Sequence, residues 1–260
     1  MGLVGIEDRD AVRHIVMQRP EKRNALHEEL VRGLGEAFEA AAADTAVRCV
    51  VVRGAGPMFS SGMDLADLRT LSERPDQLRQ FRSGILRVWN LLEEMPKPTI
   101  CQIHGACIGG AMELALAADL RVMAEDAVAG LLETRIGLLP DVGGCSRLPA
   151  VVGLGVAKEL IMTGRLIDGR EAHRIGLANR IAPAAELEEA TATLTGELLA
   201  CAPLAVGLAK RVMDASAKPA LAATLELEVT AQSLLAASDD FAEGARAFQE
   251  KREPRFGALA

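Results

Sequence analysis

Apolar residues along roughly the first 180 positions follow two spacings in turn. Short, mainly apolar runs, typical of buried strands, occur at residues 12–17, 49–52, 99–103 and 120–123. Between these runs, apolar residues recur every three or four positions with charges on the other face, which predicts helices at residues 28–43 and in the stretch ending at Met95. Strands that alternate with helices in this way predict an α/β fold.

The last third of the chain has the helical spacing alone. Two short helices and one strand are predicted before it, at residues 155–162, 169–174 and 177–181. From residue 184 to 251 the pattern is helical throughout, with breaks near Pro203 and Pro219 and with Asp239 as the expected N-cap of the last helix. A tail of roughly 60 residues is too small for its own core, so we expect it to pack elsewhere, most simply on a partner subunit.

One carboxylate interrupts the small and apolar stretch QIHGACIGGAMELALAAD at residues 102–119. This residue is Glu113, and a glycine pair, Gly109 and Gly110, precedes it at the expected start of a buried helix. Unpaired N–H groups at a helix start bind developing negative charge, and burial raises the pKa of a carboxyl group. The stretch therefore indicates an oxyanion hole beside a general acid or base, or else a tight helix–sheet contact with a salt-bridged glutamate.

Two other segments carry candidate chemistry. The loop GAGPMFSSGMDL at residues 54–65 follows a predicted strand, where α/β proteins place ligands, and its Gly62 allows close approach of the backbone. The stretch at residues 130–148 alternates apolar residues with Glu133, Arg135 and Asp141.

Composition narrows the range of partners. Half of the residues are hydrophobic, only 3% are aromatic and tyrosine is absent, so the core must consist of Ala, Leu, Val and Ile. A net charge of −7 argues against a nucleic-acid or anionic-membrane partner. Five scattered cysteines without CxxC spacing predict reduced thiols and neither a disulfide framework nor a zinc or other metal site. Without a signal-peptide pattern or a membrane-spanning run, the expected location is the cytoplasm.

Six segments in order resemble the enoyl-CoA hydratase/isomerase family, the crotonase superfamily, over essentially the whole chain. They are RPEKRNAL, FSSGMDL, GACIGGAMELALAADLRV, ETRIGLLPDVGG, TGRLIDGREAHRIGLANRI and EGARAFQEKREPRF. The resemblance implies an α/β fold of the crotonase (ClpP-like) type, a spiral of ββα units. It also implies a division into a core with the acyl-CoA site at residues 1–195 and an α-helical trimerisation region at residues 196–260.

The resemblance assigns roles to individual residues. The family's two oxyanion-hole N–H groups correspond to those of Met63 and Gly110. The two glutamates that face the C2–C3 bond in hydratases correspond to Glu113, expected to activate water, and Glu133, expected to protonate C2. Close carboxylates in a dry pocket can be held in opposite protonation states, although their titrations are coupled.

Asp141 departs from the hydratase pattern. Glycine is common at this position in hydratases, whereas dienoyl-CoA isomerases use acids at the positions of Glu133 and Asp141 as a proton shuttle, with a third acid at the position of Glu113. Alternatively, Asp141 caps the helix that begins near Gly143, because Asp is a favoured N-cap.

The resemblance also implies a set of contacts with coenzyme A. Lys22 and Arg23 would lie near its phosphates, and backbone near Ala25 and Leu65 would hold its adenine. Lys251 and Arg252 resemble tail residues that reach the phosphates, in some relatives those of a neighbouring subunit. Solvated surface charge is the alternative interpretation of both basic clusters. The full expected set is Lys22, Arg23, Ala25, Gly62, Asp64, Leu65, Gly109 and Lys251.

Three functional hypotheses result. The first is a hydratase that converts trans-2-enoyl-CoA to 3-hydroxyacyl-CoA, and the second is a dienoyl- or enoyl-CoA isomerase that uses Glu133 and Asp141. The third is a non-catalytic acyl-CoA-binding protein, which the intact pair of Glu113 and Glu133 disfavours. No cofactor is expected, since coenzyme A is part of the substrate, and the expected assembly is a homotrimer or a hexamer.

Overall fold

The protein is described from a computed structural model. The description covers residues 2–64 and 75–256, without the side chains of residues 75, 76 and 78. Leu65, one of the expected CoA contacts, lies outside these residues.

A six-stranded sheet forms the centre of the molecule. Its strand order is β1-β2-β3-β4-β6-β9; β1 and β2 are antiparallel and the remaining pairs are parallel. Val50, Val51 and Val52 of β3 are all completely buried, as expected for a parallel strand covered on both faces. The strands are β1 (Val4–Arg9), β2 (Val12–Met17), β3 (Cys49–Gly54), β4 (Thr99–Ile103), β6 (Leu120–Ala124) and β9 (Arg180–Ala182).

A second, three-stranded sheet makes the fold a spiral. It contains β5 (Ala106–Ile108), β7 (Val128–Gly130) and β8 (Ile167–Asp168), in that order. Strands β4 and β6 of the large sheet are each followed at once by a strand of the small sheet, β5 and β7, and then by helical structure. This succession is the predicted spiral of ββα turns.

Helices cover the sheets and form the whole C-terminal part. They are α1 (Glu28–Ala43), α2 (Pro75–Glu94), α3 (Gly110–Ala117), α4 (Gly144–Val152), α5 (Leu154–Thr163), α6 (Gly169–Arg174), α7 (Leu187–Leu199), α8 (Pro203–Ala217), α9 (Leu221–Leu235) and α10 (Asp239–Glu250). Short 3-10 helices lie at Pro20–Lys22, Glu133–Ile136 and Ala184–Glu186. The boundary predicted between residues 195 and 196 falls inside α7, which packs on β6 and β9.

Most predicted elements are present, with corrections at the short strands and at one cap. Strands β1, β5, β7 and β8 were not predicted; the last three are only two or three residues long, too short for a periodic pattern. The predicted strand at residues 177–181 begins only at Arg180. Asp239 is not the N-cap of the last helix, because the Ser238 hydroxyl accepts the capping hydrogen bond from the Phe241 amide.

The described helices include none that could span a membrane by itself. One bent pair, Ala184–Leu199 with Pro203–Ala217, meets the length and composition criteria only when taken together, across a bend of 102°.

Candidate active site

The glycine-rich loop after β3 runs beside β5 and brings two candidate oxyanion donors together. The Ser60 amide donates to the Ala106 carbonyl (3.0 Å), and the Ile108 amide donates to the Ser60 carbonyl (3.2 Å). Gly62 then passes so close that a Cβ there would lie 2.4 Å from the Ile108 carbonyl oxygen and 3.6 Å from the Gly110 nitrogen. Its φ of +90° also requires glycine.

The N–H groups of Met63 and Gly110 remain available for a ligand. Met63 pairs with Leu26 in a parallel bridge whose hydrogen bonds use the neighbouring Gly62 carbonyl and Asp64 amide, so the Met63 N–H points away from Leu26. Gly110 is the first residue of α3, where an N–H has no intrahelical acceptor. Neither group donates a hydrogen bond within the described residues. The structure thus brings both predicted donors to one place.

Glu113 lies on the buried helix α3 and is held by the start of another helix. Its side chain is 2% exposed, and its Oε1 accepts hydrogen bonds from the amides of Val142 and Gly144, each at 2.9 Å. Burial, and then the charges of Glu133 and Glu228, raise the pKa of Glu113 well above its ordinary value of 4.5, while the two amides favour its ionised form. Glu113 is therefore a fixed carboxyl group whose proton affinity is set by opposing effects.

Glu133 lines the same cavity as Glu113 and accepts fewer hydrogen bonds from the described residues. It begins the 3-10 helix after β7, and its Oε1 lies 2.8 Å from the point where a Cβ on Gly109 would be. Its Oε2 is buried and has no hydrogen-bond partner among the residues that the structure describes. Burial raises the pKa of Glu133 to about 7, which allows the group to give or take a proton near neutral pH.

Asp141 is present beside these two acids but is already paired. Its carboxylate forms an ion pair with Arg82 of α2, and the same guanidinium donates to the Asp141 carbonyl oxygen at 2.8 Å. The alternative that Asp141 caps the following helix is wrong: the N-cap of α4 is Gly143, and Asp141 faces the buried Arg82 instead. Burial lowers the pKa of Arg82 to about 10, so the guanidinium still carries its charge at neutral pH.

A cavity of about 340 Å³ joins these groups. Its polar side contains Met63, Gly110, Glu113, Glu133 and Asp141. Its apolar side is built from three parts of the chain, with Phe81, Ile85, Leu132, Ile136, Leu138, Ala236, Phe241 and Phe248. Such a cavity suits a ligand with a polarisable carbonyl group at one end and an apolar chain beyond it.

The expected CoA-binding turn at residues 19–25 is held against the glycine-rich loop by Asn24. Both Arg23 and Asn24 adopt left-handed backbone conformations, with φ of 55° and 53°. The buried Asn24 amide donates to the carbonyls of Ala55 (2.8 Å), Met58 (3.0 Å) and Phe59 (3.1 Å). These hydrogen bonds offset the strain of the turn and fix its position beside the donor loop.

Some of the expected CoA contacts in and beside this turn are exposed, whereas others are buried or already bonded within the protein. Lys22 and Arg23 are exposed, whereas Ala25 is buried. The Asp64 carboxylate forms an ion pair with Arg19 at 2.9 Å, and Arg19 also donates to the Ala25 carbonyl at 3.1 Å. Asp64 and the Ala25 carbonyl thus support the turn, and the exposed positive charges at its tip, which form no ion pair with the described residues, are those of Lys22 and Arg23.

The C-terminal basic residues differ from one another. Lys251 is exposed and follows α10 in a left-handed conformation. The neighbouring Arg252 forms ion pairs with Glu243 and Glu250, so its charge is balanced within the tail.

Sequence reasoning missed two charged residues at this site, Arg82 and Glu228. Arg82 neutralises Asp141, and Glu228 binds the start of α4 from the distant helix α9. A charged residue at an otherwise apolar helix position is the pattern that could have pointed to Glu228, which lies between Leu225 and Gln232 on the buried side of α9. No cluster of His, Cys, Asp or Glu suited to a metal ion occurs in the described part of the chain.

Comparison with known proteins identifies the family. The model of the enoyl-CoA hydratase/isomerase family matches residues 7–258. A probable mitochondrial enoyl-CoA hydratase 2 of Arabidopsis thaliana is 37% identical over 92% of this chain and 79% of its own length. A crotonyl-CoA hydratase of Syntrophomonas wolfei is 33% identical over 96% of both chains.

Solved structures agree with the sequence relatives. The crystal structure of an enoyl-CoA hydratase from Mycobacterium avium subsp. paratuberculosis K-10 superposes with a TM-score of 0.87 at 30% identity, over 98% of both chains. That of an enoyl-CoA hydratase from Bacillus halodurans gives 0.88 at 26% identity, over 95% of this chain and all of the other. The family match over residues 7–258, these relatives and the shared spiral fold lead to one conclusion: the chain belongs to the enoyl-CoA hydratase/isomerase family, the crotonase superfamily.

Proposed function

We propose that the protein is an enoyl-CoA hydratase that adds water to trans-2-enoyl-CoA thioesters and gives 3-hydroxyacyl-CoA. One observation carries the proposal: Glu113 and Glu133, both with raised pKa values, share a cavity with two unengaged amides, while the third acid is neutralised. Family membership supports an acyl-CoA substrate. The names of the relatives cover both hydratases and isomerases, so the choice between these two reactions rests on the site.

The two amides would stabilise the enolate. The thioester oxygen would accept hydrogen bonds from the N–H groups of Met63 and Gly110, and negative charge would develop on it as water adds to C3. Loss of one such donor typically costs about 3 to 4 kcal/mol of transition-state stabilisation. Because both donors are backbone groups, the methionine side chain at position 63 is compatible with this role.

The two glutamates would divide the proton transfers. Amides from Val142 and Gly144 favour the ionised form of Glu113, which suits it to take a proton from water as the oxygen bonds to C3. Glu133, with a pKa of about 7 and an unpartnered oxygen, would then give its proton to C2. The proton gained by Glu113 balances the one lost by Glu133, and the pair titrates as a coupled unit.

Isomerisation through Asp141 is the second candidate, and the ion pair with Arg82 disfavours it. A carboxylate that neutralises a buried guanidinium accepts a proton less readily, because protonation would leave Arg82 with a buried, unpaired charge. Asp141 is therefore poorly suited to shuttle a proton, whereas Glu133 is well suited to carry one.

Two substrates distinguish the reactions. Purified protein is incubated with crotonyl-CoA and, separately, with a 3,5-dienoyl-CoA, and absorbance reports loss of the enoyl group or formation of the conjugated 2,4-diene. We expect hydration of crotonyl-CoA, with 3-hydroxybutyryl-CoA identified by mass spectrometry. Diene formation without hydration would replace the proposal with the isomerase, and binding without either reaction would favour the non-catalytic acyl-CoA-binding protein.

The remaining expectations are proposals of the same kind. Lys22 and Arg23, and Lys251 from the tail, would contact the phosphates of coenzyme A, and the enzyme would need no cofactor beyond the coenzyme A of its substrate. A cytoplasmic location and assembly as a homotrimer or a hexamer complete the proposed description.

A further inference from the structure

Glu228 lies on α9, in the helical C-terminal region, and is a buried carboxylate that takes no part in the proposed reaction. Its side chain is 4% exposed, and it accepts hydrogen bonds from the Gly143 amide (2.8 Å), the Ser146 amide (2.7 Å) and the Ser146 hydroxyl (2.5 Å). Each acceptor oxygen is used, as the burial of a carboxylate requires. The partner residue Gly143 is 85 positions away in the chain.

These hydrogen bonds interleave with those of Glu113. The amides of Val142 and Gly144 donate to Glu113, whereas the amide between them, that of Gly143, donates to Glu228. Two carboxylates from distant parts of the sequence thus hold three successive N–H groups at the start of α4. Without the hydrogen bond from the Gly143 amide to Glu228, the neighbouring peptide groups that bind Glu113 would be held less firmly.

A second side chain of α9 holds the same segment. The Gln232 side-chain oxygen, one helical turn after Glu228, accepts a hydrogen bond from the Leu139 amide at 3.2 Å. Helix α9 therefore fixes residues 139–146 at both ends, and this segment includes Asp141 as well as the amides that bind Glu113.

We propose that Glu228 is a positioning residue: by fixing the backbone of residues 142–146 it orients the carboxylate of Glu113 for catalysis. Glu228 has no direct contact with the reacting atoms in this proposal and acts through the amides of the α4 start. The expected effect on kcat rests on the proposed function, whereas the expected effect on the backbone of residues 139–146 does not. In this proposal α9 helps to arrange the active site in addition to packing over the cavity.

The variant Glu228→Gln tests the proposal, with Glu226→Gln as control. Glutamine keeps one acceptor oxygen but presents an NH₂ group to one of the two donors, so the Gly143 or the Ser146 amide loses its partner. Glu226 lies on the same helix with an exposed side chain, so its substitution changes the same charge without touching α4. With crotonyl-CoA we expect Glu228→Gln to lower kcat by about 10- to 100-fold and to change KM by less than about threefold. Glu226→Gln should match the wild type.

A double-mutant cycle separates positioning from general damage. If Glu228 acts through Glu113, adding Glu228→Gln to Glu113→Gln lowers kcat no further. The same fold loss in both backgrounds, or wild-type kcat in Glu228→Gln, overturns the proposal. Should Glu228→Gln fail to fold, Ser146→Ala removes one of the three hydrogen bonds and enters the same cycle, with the same outcomes deciding.

Amide hydrogen exchange gives a result that does not depend on turnover. We expect faster exchange over residues 139–146 in Glu228→Gln and unchanged exchange there in Glu226→Gln. If the wild type fails to hydrate crotonyl-CoA, the proposed function is overturned, and exchange alone then decides the positioning role. Unchanged exchange in Glu228→Gln overturns that role whatever the reaction is.

Discussion

Glu113 and Glu133 are the same residue type in one cavity, yet the backbone supports them differently. Two amides hold Oε1 of Glu113, whereas the buried Oε2 of Glu133 has no hydrogen-bond partner in the described part of the chain. A carboxylate with two amide donors keeps its charge more readily than one without them. The amides therefore favour the charged form of Glu113, while burial and the charges of Glu133 and Glu228 favour its protonated form and raise its pKa.

The first prediction concerns the activity of Glu133→Gln. Removal of a general acid should lower kcat for crotonyl-CoA hydration by about 100- to 10,000-fold, because glutamine cannot deliver a proton to C2. Binding of a saturated acyl-CoA, measured by calorimetry, should remain close to that of the wild type. Glu186→Gln, an exposed substitution of the same kind, is the control. Near wild-type turnover in Glu133→Gln would show that the acid lies elsewhere.

The second prediction concerns stability against pH. The folded-state pKa of Glu133, about 7, lies above its ordinary value of 4.5, so folding favours the protonated form. Stability from this group is fully present below the ordinary pKa and is lost as pH rises from about 4.5 to about 7, by on the order of 3 kcal/mol. The variant Glu133→Gln should not lose this stability as pH rises, because glutamine has no titrating proton.

Thermal unfolding of the wild type and of Glu133→Gln between pH 5 and pH 8 checks the sign. The Tm of the variant should exceed that of the wild type at the upper end of the range, and the two should converge toward the lower end. A Tm difference that stays constant with pH would contradict the raised pKa of Glu133.

The third prediction concerns Asp141→Asn. As a hydratase, the enzyme should keep hydration activity within about 10-fold, because Asp141 transfers no proton. Its melting temperature should fall, since a buried Arg82 without its partner costs about 3 to 5 kcal/mol. The double variant Arg82→Met with Asp141→Asn should recover much of that stability. Abolished turnover with unchanged stability would instead favour Asp141 as a proton carrier.

At the scale of elements, tight glycine turns put short segments into contact. Gly109 caps α3 with φ of 56° and ψ of −127°, a conformation that side chains disfavour. The turn places the Gly110 nitrogen beside the loop that carries Met63 and leaves room for the Glu133 carboxylate. The catalytic geometry therefore depends on the absence of a Cβ at this position.

Gly109→Ala is the fourth prediction. The new Cβ would lie 2.8 Å from Oε1 of Glu133, and the backbone would be strained, so we expect a stability loss of about 1 to 3 kcal/mol and a large loss of kcat. The control is Gly84→Ala in α2, where a Cβ meets nothing within 4 Å. Alanine in a helix favours stability by about 0.5 to 1 kcal/mol, so the two variants should shift the Tm in opposite directions. Wild-type Tm and kcat in Gly109→Ala would contradict the tight backbone turn at Gly109.

The motifs pointed to the oxyanion donors, the two glutamates and Asp141, but not to the arginine that pairs with Asp141. Glu113 and Glu133 stand out as carboxylates inside apolar stretches. Arg82 is one of several arginines in a polar segment, and its sequence neighbourhood does not distinguish the buried one from the exposed ones. Ion pairing is decided by distance in space, and the partner here is 59 positions away.

At the scale of the whole molecule, the helical tail covers the cavity of its own chain. Phe241 and Phe248 of α10 line the cavity beside Ile136, and a Cβ on Gly244 would lie 2.6 Å from the Ile136 carbonyl carbon. The sequence correctly indicated that the tail needs another surface, but part of that surface lies within the same chain. Helix α8 differs, because Leu204, Leu208 and Val212 are exposed on it at a spacing of four residues.

The fifth prediction uses this exposed row on α8 to test self-association. Leu204 and Val212 are 75% and 69% exposed in the single chain, and contiguous apolar surface of this kind marks association sites. We expect the wild type to sediment as a trimer or a hexamer and Leu208→Glu to shift it to smaller species. Thr193→Glu, an exposed change on α7, should leave the assembly unchanged. A monomeric wild type would contradict the prediction of assembly.

The sequence by itself determined most of the elements and pointed to the two candidate catalytic glutamates, while the tertiary structure decided how each acid is held. Strands, helices and the helical tail are encoded in local periodicity, and the glutamates in ordered motifs, so both can be read along the chain. Pairing Arg82 with Asp141, and Glu228 with the start of α4, requires folding to bring distant positions together. Burial and the surrounding donors then set the pKa of each carboxyl group, because the cost of a buried charge depends on the groups that surround it in space.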